Sequence, residues 1–140
     1  MRFDRFTIRG QEAVQAAIGV AEKNGNQQVE PEHVLSAMLE QKEGVVRPIL
    51  GKIGANLPPV LSELQDSIEK LPKVTGGQQY FSSRTNTIFQ DVQKFAEKME
   101  DEYISTEHLL IAIAAEKAGD AGRILRSNGI TSEDVEKVIT

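Results

Sequence analysis

Apolar residues recur at intervals of three and four along almost the whole chain, the spacing of α-helices that bury one face. Ala13, Val14, Ala17, Ile18, Val20 and Ala21 make one such stripe, with Thr7 ahead of it as a candidate N-cap. Val34, Leu35, Met38 and Leu39 make the next, opened by Pro31, which suits a first turn because its missing N–H has no partner there anyway. A shorter helix ends at Gly54, read as a left-handed glycine beyond the last turn. Pro58-Pro59 then opens a fourth, carrying Val60, Leu61, Leu64 and Ile68. The series starts again with Ile88, Phe89, Val92, Phe95, Ala96 and Met99 after Ser82 or Ser83, and Leu109, Leu110, Ile113 and Ala114 after Ser105. A short helix ending at Gly129 follows. The last holds Val135 and Ile139, with Thr131 and Asp134 resembling a capping box. No stretch keeps a strand period for more than a few residues. The pattern predicts an all-α fold of eight helices in two sets of four.

The two sets are copies. Sliding residues 6–65 onto 81–140, an offset of 75, needs no gap and gives 16 identities in 60 pairs. They cluster: Ala21-Glu22-Lys23 returns as Ala96-Glu97-Lys98, Glu32-His33 as Glu107-His108, and Ile49-Leu50 as Ile124-Leu125. Leu71 to Tyr80, with Pro72 and Gly76-Gly77, interrupts any helix and reads as a connector. Residues 1–140 are therefore expected to form one domain, with repeats over about 6–70 and 81–140 joined by 71–80. Four short helices alone would expose too much apolar surface to stand as a domain. A cleft between two such halves is the natural place for function.

Composition narrows the chemistry. Cysteine is absent, which excludes disulfides, thiolate metal sites and a cysteine nucleophile. A net charge of −5 with dispersed basic residues argues against nucleic acid. The longest strongly apolar run, Leu109 to Ala115, falls far short of a membrane span. Charge at Arg2, Asp4 and Arg5 stands where a signal peptide would be apolar. A soluble, cytoplasmic, acidic domain is expected.

Motifs of catalysis are sparse. Gly51-Lys52 lacks the glycine five residues earlier and the following hydroxyl of a phosphate-binding loop, since Val46 and Ile53 stand there. The two histidines, His33 and His108, are one position in two repeats, which points to a structural first-turn imidazole bonded to nearby backbone. A metal held between them would lack a third ligand. Glu100-Asp101-Glu102 followed by Glu107 reads either as a solvated turn or as an acidic rim on a polypeptide-binding cleft. Catalysis by Asp101 and Glu107 would lack a second acidic cluster and a nucleophile pair. Phe89 and Phe95 fall at opposite margins of their stripe, where each is either ordinary packing or a hook for a partner. Phe3, Phe6, Tyr80 and Phe81 flank the two repeat starts and are expected to seal the seam.

The assembled features resemble the N-terminal domain of the Clp/Hsp100 AAA+ unfoldases, an all-helical pseudo-twofold duplication of a four-helix unit. The likeness covers the whole chain. The opening Met1 to Thr7, the block Val29-Glu30-Pro31-Glu32-His33 and Leu71-Pro72-Lys73-Val74 before a Gly-rich connector look most like the ClpB disaggregase type. The resemblance implies a domain that is not itself an enzyme and captures unfolded or aggregated polypeptide for an AAA+ ring. It implies a parent homohexamer working with an Hsp70 system, with ATP and Mg bound by AAA+ modules outside this chain and no cofactor within it. The alternative is an adaptor-docking N domain of a ClpC- or ClpA-type protease unfoldase. Thr7, Asp101 and Glu107 match polar positions of substrate handling in the family, and Phe95 an apolar position of its groove. His108 stands where some relatives have leucine, which implies a more polar groove.

Overall fold

Each predicted helix is found, and the helix ends follow the expected chemistry. The computed structural model describes residues 3–140. After a 3-10 turn at Phe3–Arg5 come α1 (Ile8–Lys23), β1 (Gln28–Val29), α2 (Pro31–Glu40), α3 (Val46–Ile53) and α4 (Leu57–Glu69). The second set is β2 (Tyr80–Phe81), α5 (Ser83–Lys98), α6 (Thr106–Ala115), α7 (Asp120–Ser127) and α8 (Ser132–Ile139). Thr7, Ser82 and Thr131 accept the backbone N–H of Gly10, Thr85 and Asp134, each at 3.1 Å, which satisfies a donor the helix itself cannot pair. Gly54 and Gly129 take φ of 92° and 80°, as glycines past a last turn do.

The second helix of each repeat makes the centre. Leu109 to Ala114 of α6 are all buried, and nearly all of α2 is as well. A helix apolar on every side must be surrounded. α1 lies on α2 and α5 on α6, while α4 crosses to α7 and its counterpart α8 crosses to α3. Each quartet is thus closed by the other.

Two short seams fasten the halves. β1 pairs in parallel with β2, Val29 opposite Phe81. A matching bridge joins Phe6 to Ile104, the same two positions with repeats exchanged. The Thr7 N–H donates to the Ile104 carbonyl at 2.8 Å and the Ser82 N–H to that of Val29 at 3.2 Å. Strands of two residues leave no period in a sequence.

Phe89 is wholly buried, which makes it ordinary packing rather than a hook, because Phe81 (centroids 5.1 Å) and Phe3 (5.4 Å) close over it edge-on. Tyr80 stands 52% exposed and takes no part in this cluster. Strand alternation turns it opposite to Phe81.

Candidate functional site

The start of α2 and the start of α6 carry the same histidine box. His33 Nδ1 accepts the Glu30 backbone N–H at 2.8 Å, and His108 Nδ1 accepts that of Ser105 at 2.9 Å. With Nδ1 an acceptor, the neutral ring carries its proton on Nε2. That N–H donates to Asn26 Oδ1 at 2.9 Å in the first repeat and to Asp101 Oδ2 at 2.8 Å in the second. Burial lowers the His33 pKa from 6.5 to about 4. The sequence showed the backbone partner but not the side chain, although Asn26 and Asp101 each stand seven residues before their histidine.

The surroundings of the two boxes diverge. In the first repeat the connector covers the box: Asn26 Nδ2 donates to the Pro72 carbonyl at 3.0 Å, Lys73 Nζ to that of Asn24 at 2.8 Å, and the Val74 N–H to that of Gly25 at 2.8 Å. Leu71, Pro72, Val74 and Tyr80 thereby confine a recess of about 100 Å³. The equivalent recess of the second repeat is open, about 270 Å³, lined by Asp101, Glu102, Tyr103, Ser105, Glu107 and His108. Asp101, half exposed, and Glu107 are therefore brought together on one surface.

The buried carboxylates diverge in the same way. Glu32, 1% exposed, is held by Arg84 Nη2 at 3.0 Å and by the Ala121 N–H at 2.8 Å. Arg84 also forks onto Glu116 at 2.7 and 2.9 Å, and that bond, reinforced by Glu32, raises its pKa against the opposing effect of burial. The positions matching Arg84 and Glu32 are Arg9 and Glu107. Arg9 turns instead to Glu12 and Glu43 at 4.0 and 3.8 Å, leaving Glu107 without a side-chain partner among the described residues. Gln41 stands where Glu116 does and donates to the Arg9 carbonyl, so nothing draws that guanidinium inward.

Thr7 connects this recess to an apolar groove. Its own N–H holds Ile104, and the next residue, Ile8, is 77% exposed at the start of α1. Along the same helix Gln11, Val14, Gln15 and Ile18, with Phe3 ahead of the helix and Phe81 across the seam, line a groove of about 170 Å³. Phe95 lies elsewhere: it is half-buried on α5, packed against the core, and lines neither concavity.

The turn before Asp101 stores strain. Glu100 has φ of 59°, whereas its counterpart Gly25 has φ of 71° at no steric cost. Glu100→Gly is expected to leave thermal stability unchanged or raise it by a few degrees, since relief of about 1 kcal/mol exceeds the added unfolded-state entropy. A thermal melt monitored by circular dichroism checks this.

A family profile described as the Clp repeat N-terminal domain matches residues 5–128. The chain belongs to this family. It is 36% identical over 139 residues to chaperone protein ClpB of Bacteroides thetaiotaomicron, an alignment covering 99% of this chain and 16% of that one. The chain thus spans about a sixth of the length of the curated ClpB relatives it matches. Its fold is that of the Hsp104 N-terminal domain from Candida albicans, with TM-score 0.83, 15% identity, and 96% of this chain and 89% of that one covered. It is equally that of a ClpV N-domain solved in complex with a VipB peptide, with TM-score 0.77, 15% identity and coverage of 96% and 84%. The kinship to the Clp/Hsp100 N domain and to ClpB chaperones, read from the residues, therefore holds. Among the described residues no helix is long and apolar enough to cross a membrane.

Proposed function

We propose that this domain captures unfolded or aggregated polypeptide and passes it to the AAA+ ring of a ClpB-type disaggregase. The observation that carries this reading is the open apolar groove on α1, with Ile8 on the same helix and the acidic recess beyond Thr7. Extended clients would lay aliphatic side chains in the groove, with Thr7, Asp101 and Glu107 meeting polar groups and Phe95 giving a further apolar contact on α5. Such a surface binds by area rather than by shape, hence weakly and broadly. Weak capture is useful when six copies in a cytoplasmic homohexamer surround one pore and share a client, which an Hsp70 system helps to supply. A domain of this fold, the ClpV N-domain, holds a peptide, which supports the reading.

The test is a chemical-shift titration of the domain with an unfolded, apolar-rich peptide. Shifts are expected at Ile8, Gln15, Ile18 and Phe81. Ile8→Ser, which installs the residue that the other repeat carries as Ser83, should weaken binding about fivefold, roughly 1 kcal/mol, with helicity unchanged. Phe95→Ala should weaken it less. Shifts absent from the groove with every unfolded peptide tried would overturn the proposal.

A further inference from the structure

A further open recess of the second repeat, about 420 Å³, is lined by Lys98, Met99, Asp101, Glu136, Ile139 and Thr140. Under the offset of 75 these become Lys23, Asn24, Asn26, Leu61, Leu64 and Gln65. That place is not open. α4 runs on past Gln65 to Glu69, placing Ile68 in the core at 1% exposure, and the chain then turns back over Asn24, Gly25 and Asn26. The three bonds from Asn26, Lys73 and Val74 fix it there.

We infer that this recess is the docking site for the polypeptide that follows α8 in the longer chains of the family. Three features of the second repeat match a covered site. Glu100 keeps the left-handed backbone of Gly25, despite its side chain. The next N–H, of Asp101, donates to Ala96 at 2.8 Å as that of Asn26 donates to Ala21, so the Glu100 carbonyl is turned as Gly25 turns the one that accepts from Val74. Met99 and Ile139 are apolar and only half-buried, ready to be covered by an aliphatic residue in the place of Ile68 or Leu71. Asp101 keeps the histidine bond of Asn26 but can only accept, so the docked segment must offer it an N–H or an ammonium where the connector offers Asn26 a carbonyl. The occupant is an extended segment with an aliphatic residue beside a basic one, as in Leu71-Pro72-Lys73-Val74. Docking would fix the exit direction of the chain and cover one side of Asp101. This goes beyond client capture and shares with it only that residue.

The test extends the 140-residue chain past Thr140 with a copy of its own Asp66–Thr75, the register that the twofold dictates. Shift changes are expected at Met99, Glu100, Asp101 and Ile139. The added valine amide should exchange at least about tenfold more slowly than in the free peptide, as a native hydrogen bond requires. Asp101→Asn, restoring the first-repeat donor, should increase that protection. The copied segment brings a carbonyl where Asn26 meets that of Pro72, so the matched pair is the extended Asp101→Asn chain. An extension that stays disordered on both chains, with shift changes confined to residues next to Thr140, would overturn the inference. Client titration through Ile8 is read separately, so either proposal can fail alone.

Discussion

Arg84→Ala is expected to cost the domain about 3 to 4 kcal/mol, a large fraction of the roughly 5–15 kcal/mol that holds a domain of this size. The guanidinium sits between Glu30, Glu32 and Glu116, with Glu32 1% exposed and Glu116 11%. Removing it leaves Glu32 as a carboxylate with almost no access to water, and such an uncompensated charge costs far more than the intact pair contributes. Arg84→Lys should restore only part of the loss, because an ammonium, with its donors on one nitrogen, cannot make the bidentate pair with Glu116 while it also reaches Glu32. Gly119→Ala is an independent probe of the same contact: a Cβ there would overlap the guanidinium and push it out of place without changing its charge. The pseudo-symmetric control is Arg9→Ala. Its pairs lie at 3.8 and 4.0 Å with a side chain 44% exposed, so less than about 0.5 kcal/mol is expected. Urea denaturation of the four variants at pH 7 decides the matter. Equal losses at Arg9 and Arg84 would show that burial of the cluster is not what matters.

That contrast also marks where the sequence stops being legible. Helices, caps and the duplication could be read because each is local or repeats in register: Thr7 and Ser82 announce two helix starts, Gly54 and Gly129 two helix ends. The Arg84 cluster joins positions 32, 84, 116 and 121, which share no period and meet only after two quartets have crossed. The offset alignment held a hint, since Arg9/Arg84 and Glu32/Glu107 are both identities. It could not say that only one pair would close, because the deciding difference is Gln41 against Glu116. The helical wheel left Phe89 open between packing and hook for a related reason: a wheel knows only its own helix, and the rings of Phe3 and Phe81 that bury Phe89 lie outside it. Of the candidate site residues, Asp101 and Glu107 line one recess and Thr7 abuts it through Ile104, whereas Phe95 is separate. Ile8 and the groove on α1 went unread, because isoleucine beside a helix start looks like any core residue until its exposure is known.

The second large effect is on acid stability, through His33. Burial depresses its folded pKa to about 4 from the 6.5 of an unfolded chain, so between these values the unfolded state binds a proton that the folded state refuses. The neutral ring therefore contributes stability that is fully present above pH 6.5 and is lost progressively as pH falls toward 4. The span corresponds to about 3 kcal/mol. The structure gives the reason for the refusal. Nδ1 is occupied as acceptor of the Glu30 N–H and Nε2 already donates to Asn26, so a second ring proton would break the bond at the start of α2 inside the core. His33→Gln can keep part of this bonding while removing the titration. It is expected to lower stability at pH 7 by about 1–3 kcal/mol, through the buried donor or acceptor left unpaired, yet to flatten the decline between pH 6.5 and 4. Chemical denaturation of both proteins at half-unit pH steps gives the two curves, and they should converge toward pH 4. Parallel curves would place the acid sensitivity elsewhere in the domain and remove His33 as its source.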